Sequence, residues 1–278
     1  MIFKTILCVV GVSDSDDQLK NAISLCQEND LHLVVLVVGV IPHAPTYSYG
    51  AVVDTGWAED LAKGRERAVE RGNEIEKLLQ RAEVSAEVDV SYCEYGQMDD
   101  VVGARARFCD LTLIRRAGDN ENDLREKTVY GALYQSAKPI LLMPKEGITK
   151  LSADRIMVAW DDGLPAIRAV GRSLSLLKSA KDVHVILVDP ISAAHASGQE
   201  PGADLARYLV RHGINITVEN LPSGGRPVAK VLQQHAVDMN ADLIVMGAYG
   251  HSRLKQLVFG GTTASMIDHP SLPVLMSH

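Results

Sequence analysis

The chain has 278 residues, of which 46% are apolar and 23% charged, and its net charge is −7. That balance describes an ordinary folded protein and argues against a disordered or coiled-coil chain. No basic stripe breaks the acidic surplus and no apolar run reaches bilayer length, so neither nucleic acid nor membrane is expected as a partner.

The charge is uneven. Residues 1–150 hold 17 basic and 24 acidic side chains, which accounts for the whole −7, whereas residues 151–278 hold 11 of each. Four cysteines, Cys8, Cys26, Cys93 and Cys109, stand in the first half without metal-site or C-x-x-C spacing, and read as small core residues. The N-terminus enters a strand-like run at once rather than a signal-peptide core. A reducing, cytoplasmic setting is expected.

In chain order, Lys4–Val10 is an apolar, β-branched strand ending at Gly11. Leu19, Ala22, Ile23 and Cys26 then recur at the period of one buried helix face. His32–Val38 is a continuous apolar run, the kind covered on both faces in a parallel sheet. Pro42–Gly56 has no period and reads as a loop packed on its own tyrosines. A long helix is predicted from Trp57 to about Ala82, with Leu61, Ala68, Ile75, Leu78 and Leu79 inward. A strand at Ala86–Ser91, a helix at Met98–Arg107 and a strand at Leu111–Ile114 follow. Beyond polar Gly118–Arg125 and a helical stretch, Lys138–Met143 closes the half as its fifth strand. The turn-rich segment 144–150 places a boundary between domains at 1–146 and 151–278.

The second half repeats that order. Arg155–Trp160 mirrors Thr5–Val10, Asp161–Gly163 opens a helix through Leu177, and Val183–Val188 mirrors Leu33–Val38. A helix at Ala203–His212, a strand at Asn215–Glu219, a helix at Pro227–Met239 and strands at Leu243–Met246 and Leu272–Met276 complete it. Cys109-Asp-Leu-Thr-Leu-Ile114 lies opposite Ala241-Asp-Leu-Ile-Val-Met246. Two tandem α/β domains are expected, each a five-stranded parallel sheet with helices on both faces and right-handed crossovers. Ligands in such sheets bind beyond the carboxyl ends of the strands, where strand order switches.

Within the second half, the run Leu243–Met246 feeds Gly247-Ala-Tyr-Gly250, an amphipathic segment follows, and Gly260-Gly261 opens onto Thr262 and Thr263. A strand, a glycine loop and a helix start can cradle phosphate with backbone N–H groups. The same residues also make a tight turn that binds nothing. The spacing Gly247-x2-Gly250-x9-Gly260 resembles the G-x2-G-x9-G-(S/T) loop of the universal stress protein family, and the likeness extends loosely over both halves in a Rossmann-like tandem arrangement.

The resemblance implies ATP or a related adenine nucleotide in the second half. Asp161 would lie near ribose and phosphates, Val188 beside adenine, and Met246, Gly247, Gly250 and His251 along the nucleotide. Gly260, Gly261, Thr262 and Thr263 would hold phosphate. Asp161 with Asp162 would suit Mg²⁺, or Asp162 would cap the next helix. The hydroxyl position after the third glycine is here Gly261, which removes one side-chain donor. In the first half Arg115 replaces Gly247, twelve residues separate Gly118 from Gly131, and Ala132 replaces the hydroxyl residue, so that loop is not expected to hold ATP. Arg115 and Arg116 either attract an anion or face solvent.

Ser223-Gly-Gly-Arg-Pro227 is the only other glycine pair with a nucleotide-site look, and its position before a helix makes it a turn. The histidines show no metal-site spacing and no catalytic grouping stands close in sequence. Two functions follow. One is a cytoplasmic stress-response module that binds an adenine nucleotide, with weak ATP hydrolysis at most and no dedicated enzymatic role. The other is a regulatory interaction protein without nucleotide. In either, the halves form an internal pseudo-dimer and a homodimer is open.

Overall fold

The computed structural model describes residues 3–42, 55–115, 122–145, 147–190, 200–249 and 261–278. In the first half these form β1 (Thr5–Gly11), α1 (Asp17–Asn29), β2 (His32–Val40), α2 (Thr55–Arg81), β3 (Ala86–Cys93), α3 (Met98–Ala106), β4 (Leu111–Arg115), α4 (Asn122–Tyr130) and β5 (Ile140–Met143). The second half forms β6 (Arg155–Ala159), α5 (Leu164–Ser179), β7 (Asp182–Val188), α6 (Ala203–Arg211), β8 (Ile216–Leu221), α7 (Val228–Asp238), β9 (Leu243–Gly247), α8 (Thr262–Asp268) and β10 (Val274–Ser277). Most of the loop expected over Pro42–Gly56 lies outside the described residues.

Hydrophobic runs become strands buried on both faces. Each residue of β2 from Leu33 to Gly39 is buried, and the predicted α1 face of Leu19, Ala22, Ile23 and Cys26 is buried as well. On α2, Ala68, Ile75 and Leu79 form the inward stripe while the alternating charges face solvent.

Contacts divide the chain into two compact units, one of Phe3–Leu113 with Gly118–Ser136 and one dominated by Ala137–His278. In the first, the strand order is β3-β2-β1-β4, with parallel pairings throughout. In the second it is β5-β10-β9-β6-β7-β8. There β10–β9, β9–β6, β6–β7 and β7–β8 are parallel. The predicted fifth strand of the first half forms as β5, but it runs antiparallel to β10, with Leu141 opposite Leu275. Its ladder bonds therefore tie it to the closing strand of the second half. The compact units part near residue 137, before the turn-rich segment 144–150.

The sequence echo between the halves has a geometric counterpart. Thr5 pairs with His32 and Ile6 with Leu111; likewise Arg155 pairs with Asp182 and Ile156 with Leu243. Asp110 Oδ2 accepts the Lys4 and Thr5 N–H groups at 2.7 and 3.0 Å. Asp242 Oδ2 accepts those of Asp154 and Arg155 at 2.9 and 2.8 Å. In each half, one aspartate before the fourth strand holds the start of the first.

Candidate functional site

The second unit places its candidate residues at the carboxyl ends of three adjacent strands. Ala159 of β6 lies between Ile186 of β7 and Met246 of β9, so Asp161, Val188 and Gly247 follow within two residues of one level across the sheet. Sequence order leaves β6 toward β7 and β8 on one side, while β9 and β10 lie on the other. This is the switch point at which a crevice opens in such sheets.

Asp161 is exposed and its Oδ1 accepts the Gly163 N–H at 3.0 Å. Gly163 is the residue that precedes α5, with Pro165 in the first turn. The N-cap of α5 is Gly163, and Asp162 before it takes a left-handed backbone with φ 60°. Val188 is half-buried at the end of β7.

Met246 and Gly247 both have a place in the packing of the sheet. The Met246 side chain is only 5% exposed and belongs to the core. At Gly247 a Cβ would stand 2.6 Å from the Ala166 backbone nitrogen and 2.8 Å from the Pro165 carbonyl carbon. Glycine is needed there because the first turn of α5 presses on the end of β9. Tyr249 then adopts φ 56°, and its N–H donates to Thr263 Oγ1 at 3.1 Å. This bond ties the strand exit to α8. Thr263 is 5% exposed, Thr262 is half-buried, and Gly261 occupies the cap of α8 in extended conformation. Gly250, His251 and Gly260 lie outside the described residues.

Asp189, which sequence reading passed over, completes the rim. It follows Val188 with φ 46°, and its Oδ1 accepts the Ser223 N–H at 3.0 Å. The Ser223 hydroxyl, and then this N–H, hold the exposed carboxyl below its ordinary value. The glycine pair of the Ser223–Pro227 segment is a turn, as its position requires, with Gly224 and Gly225 at φ 58° and 77°. Its partner is 34 residues away, and only an aspartate just past a predicted strand end hinted at it.

Away from the crevice, Glu219 of β8 receives His184 Nδ1 at 2.8 Å and lies 3.5 Å from His235 Nε2 of α7. No group of three or more His, Cys, Asp or Glu among the described residues has the geometry to hold a metal ion.

In the first half of the sequence, Arg115 occupies the position of Gly247 at the end of β4, and only its backbone is described. Arg116 and Gly118 lie outside the described residues. At Gly131 a Cβ would stand 2.4 Å from the Asp99 carbonyl oxygen, so this glycine lets the end of α4 meet α3.

A doubly wound α/β chain with a crevice at a strand-order switch is the class that fold and site define. Within that class, residues 152–278 match the family model described as universal stress protein family. The chain is 30% identical over 145 residues to universal stress protein Slr1230 of Synechocystis sp.. This alignment covers 50% of the chain and 46% of the relative, so the chain spans about half the length of the curated relative it matches. Solved structures share the fold over almost the whole chain. A universal stress protein from Archaeoglobus fulgidus aligns over 98% of this chain and 95% of its own, with 19% identity and a TM-score of 0.65. A second, described as a putative universal stress protein from Pseudomonas aeruginosa, covers 99% and 93%, with 16% identity and a TM-score of 0.57.

Proposed function

We propose that the protein is a tandem universal stress protein, organised as halves 1–146 and 151–278, that binds ATP or a related adenine nucleotide in the second half as a cytoplasmic stress-response module. The observation that carries this reading is the convergence of Asp161, Val188 and the exit of β9 at the strand-order switch, inside the segment that matches the family. Val188 offers an apolar wall to adenine. The exposed Asp161 carboxylate accepts a ribose hydroxyl or holds Mg²⁺ with the phosphates. Thr262, Thr263 and the free N–H groups at the start of α8 donate to phosphate, beside Gly250, His251, Gly260 and Gly261 of the glycine loop. In this reading the site has no dedicated enzymatic role, with weak ATP hydrolysis at most.

Titration calorimetry with ATP and Mg²⁺ tests the reading. About one site per chain is expected, weakened by Asp161→Ala and by Thr262→Val. No heat from folded wild-type protein would sink it. Gly247→Val is unsuited to this purpose, because its Cβ collides with α5 whether or not a ligand binds.

A second reading, a regulatory interaction protein without nucleotide, is favoured by that same contact. Gly247 has a packing reason to be glycine, and Gly261 removes a hydroxyl. Mass spectrometry of a denatured extract of the purified protein separates the two readings, since release of an adenine nucleotide excludes the second.

A further inference from the structure

The first unit has a crevice of its own with different chemistry. A cavity of about 460 Å³ opens at the carboxyl ends of β1, β2 and β3, within the size range of small-molecule sites. Its apolar lining includes Val40, Tyr92 and Met98, and its polar lining includes Asp14, Arg67 and Asp123. The Tyr92 ring reaches this wall because α2 carries glycine where a side chain would stop it. A Cβ at Gly64 would stand 2.2 Å from Tyr92 Oη. A glycine inside a helix costs about 1 kcal/mol relative to alanine, so the space is kept against local preference.

The charges at the wall do not suit a polyphosphate. Asp14 accepts the Gly11 N–H through Oδ2 and lines the cavity. Asp123 and Arg67 make no ion pair with any described residue, and both are exposed. Two carboxylates against one guanidinium leave the lining net negative, and the position that carries Gly247 in the other half carries Arg115 here.

We infer that the first-half crevice binds a small, phosphate-free amine, with an aromatic or aliphatic body against Val40, Tyr92 and Met98 and its ammonium facing Asp14 and Asp123. A ligand of this kind matches the apolar lining and neutralises the surplus carboxylate. It is distinct in charge and chemistry from the nucleotide proposed for the second half.

A charge ladder on one body tests the inference: 2-phenylethylamine, benzyl alcohol and phenyl phosphate, titrated against the full chain by ligand-observed NMR. The amine is expected to bind most tightly and phenyl phosphate least. Asp123→Asn should weaken the amine by about two- to fivefold, the range of an exposed charge pair, and leave the alcohol unchanged. Val40→Trp, at a position 43% exposed on the cavity wall, should abolish binding of all three without unfolding the chain. Equal or tighter binding of phenyl phosphate, binding that survives Val40→Trp, or no amine signal from folded protein at millimolar concentration overturns it.

Discussion

The two halves agree where the strands begin and part where they end. Asp110 and Asp242 make the same pair of bonds to the backbone at the start of β1 and β6. The third strands are anchored alike as well. Asp89 of β3 pairs with Arg105 of α3 at 2.7 Å, and Glu219 of β8 faces His235 of α7 at 3.5 Å. At the carboxyl ends the halves diverge. By strand register Asp14 stands opposite Leu164 and Arg115 opposite Gly247, and α5 begins three residues earlier along its half than α1. The earlier start brings the Pro165 turn onto the end of β9 and makes glycine obligatory there. Strand starts serve the sheet, which both halves must build. Strand ends face the crevices, where the halves are free to hold different ligands.

The largest expected difference between the halves is at that contact. Gly247→Val drives a methyl-bearing carbon into the backbone of Ala166, and should lower stability by about 3 kcal/mol in urea unfolding, the upper part of the overpacking range. Arg115→Val, where a Cβ is already tolerated, should change it by less than about 1 kcal/mol. Equal losses would break the comparison.

Next are the shared anchors. Asp110→Ala and Asp242→Ala each strip a carboxylate from two N–H groups, with an expected loss of about 2–3 kcal/mol, close to equal in the two halves. A twofold disparity would show that only one half relies on the device.

An effect confined to high pH belongs to the first half alone, which holds all four cysteines. Burial pushes the Cys8 thiol from its ordinary value of 9.0 up to about 12, against an opposing hydrogen bond from Gln18, and burial does the same to Cys26. The folded chain thus retains protons that the unfolded chain releases. This contribution is complete below pH 9 and is lost as pH rises toward 12, by up to about 1.4 kcal/mol per pH unit for each thiol. Cys8→Ala with Cys26→Ala should flatten the alkaline limb of the stability profile. The smallest change is Leu164→Lys at the exposed start of α5, expected within about 0.5 kcal/mol of wild type, because the side chain is 69% exposed.

Much of the fold was legible locally. The apolar runs of β1 and β2 and the periodic faces of α1 and α2 declare themselves within their own segments, since burial imposes the period. The repeat was legible through Asp110 and Asp242, which recur with their strands. What sequence could not show is set by partners far along the chain. The antiparallel pairing of β5 with β10 joins residues more than 130 apart and leaves no local mark. Gly247 reads equally well as a phosphate contact or as a packing necessity until Pro165 and Ala166 are seen against it. Asp189 gains its role only from Ser223, and the left-handed Tyr249 carries no glycine to announce its turn.

The central claim is that an adenine nucleotide occupies the second half and not the first. Photo-crosslinking the purified chain with 8-azido-ATP, followed by peptide mapping, tests it most directly. The label is expected on peptides that contain Val188 or span Gly247–Thr263, competed by ATP and unaffected by Val40→Trp. Label on the peptides around Val38 or Tyr92, or label in the second half that excess ATP does not displace, would contradict the account.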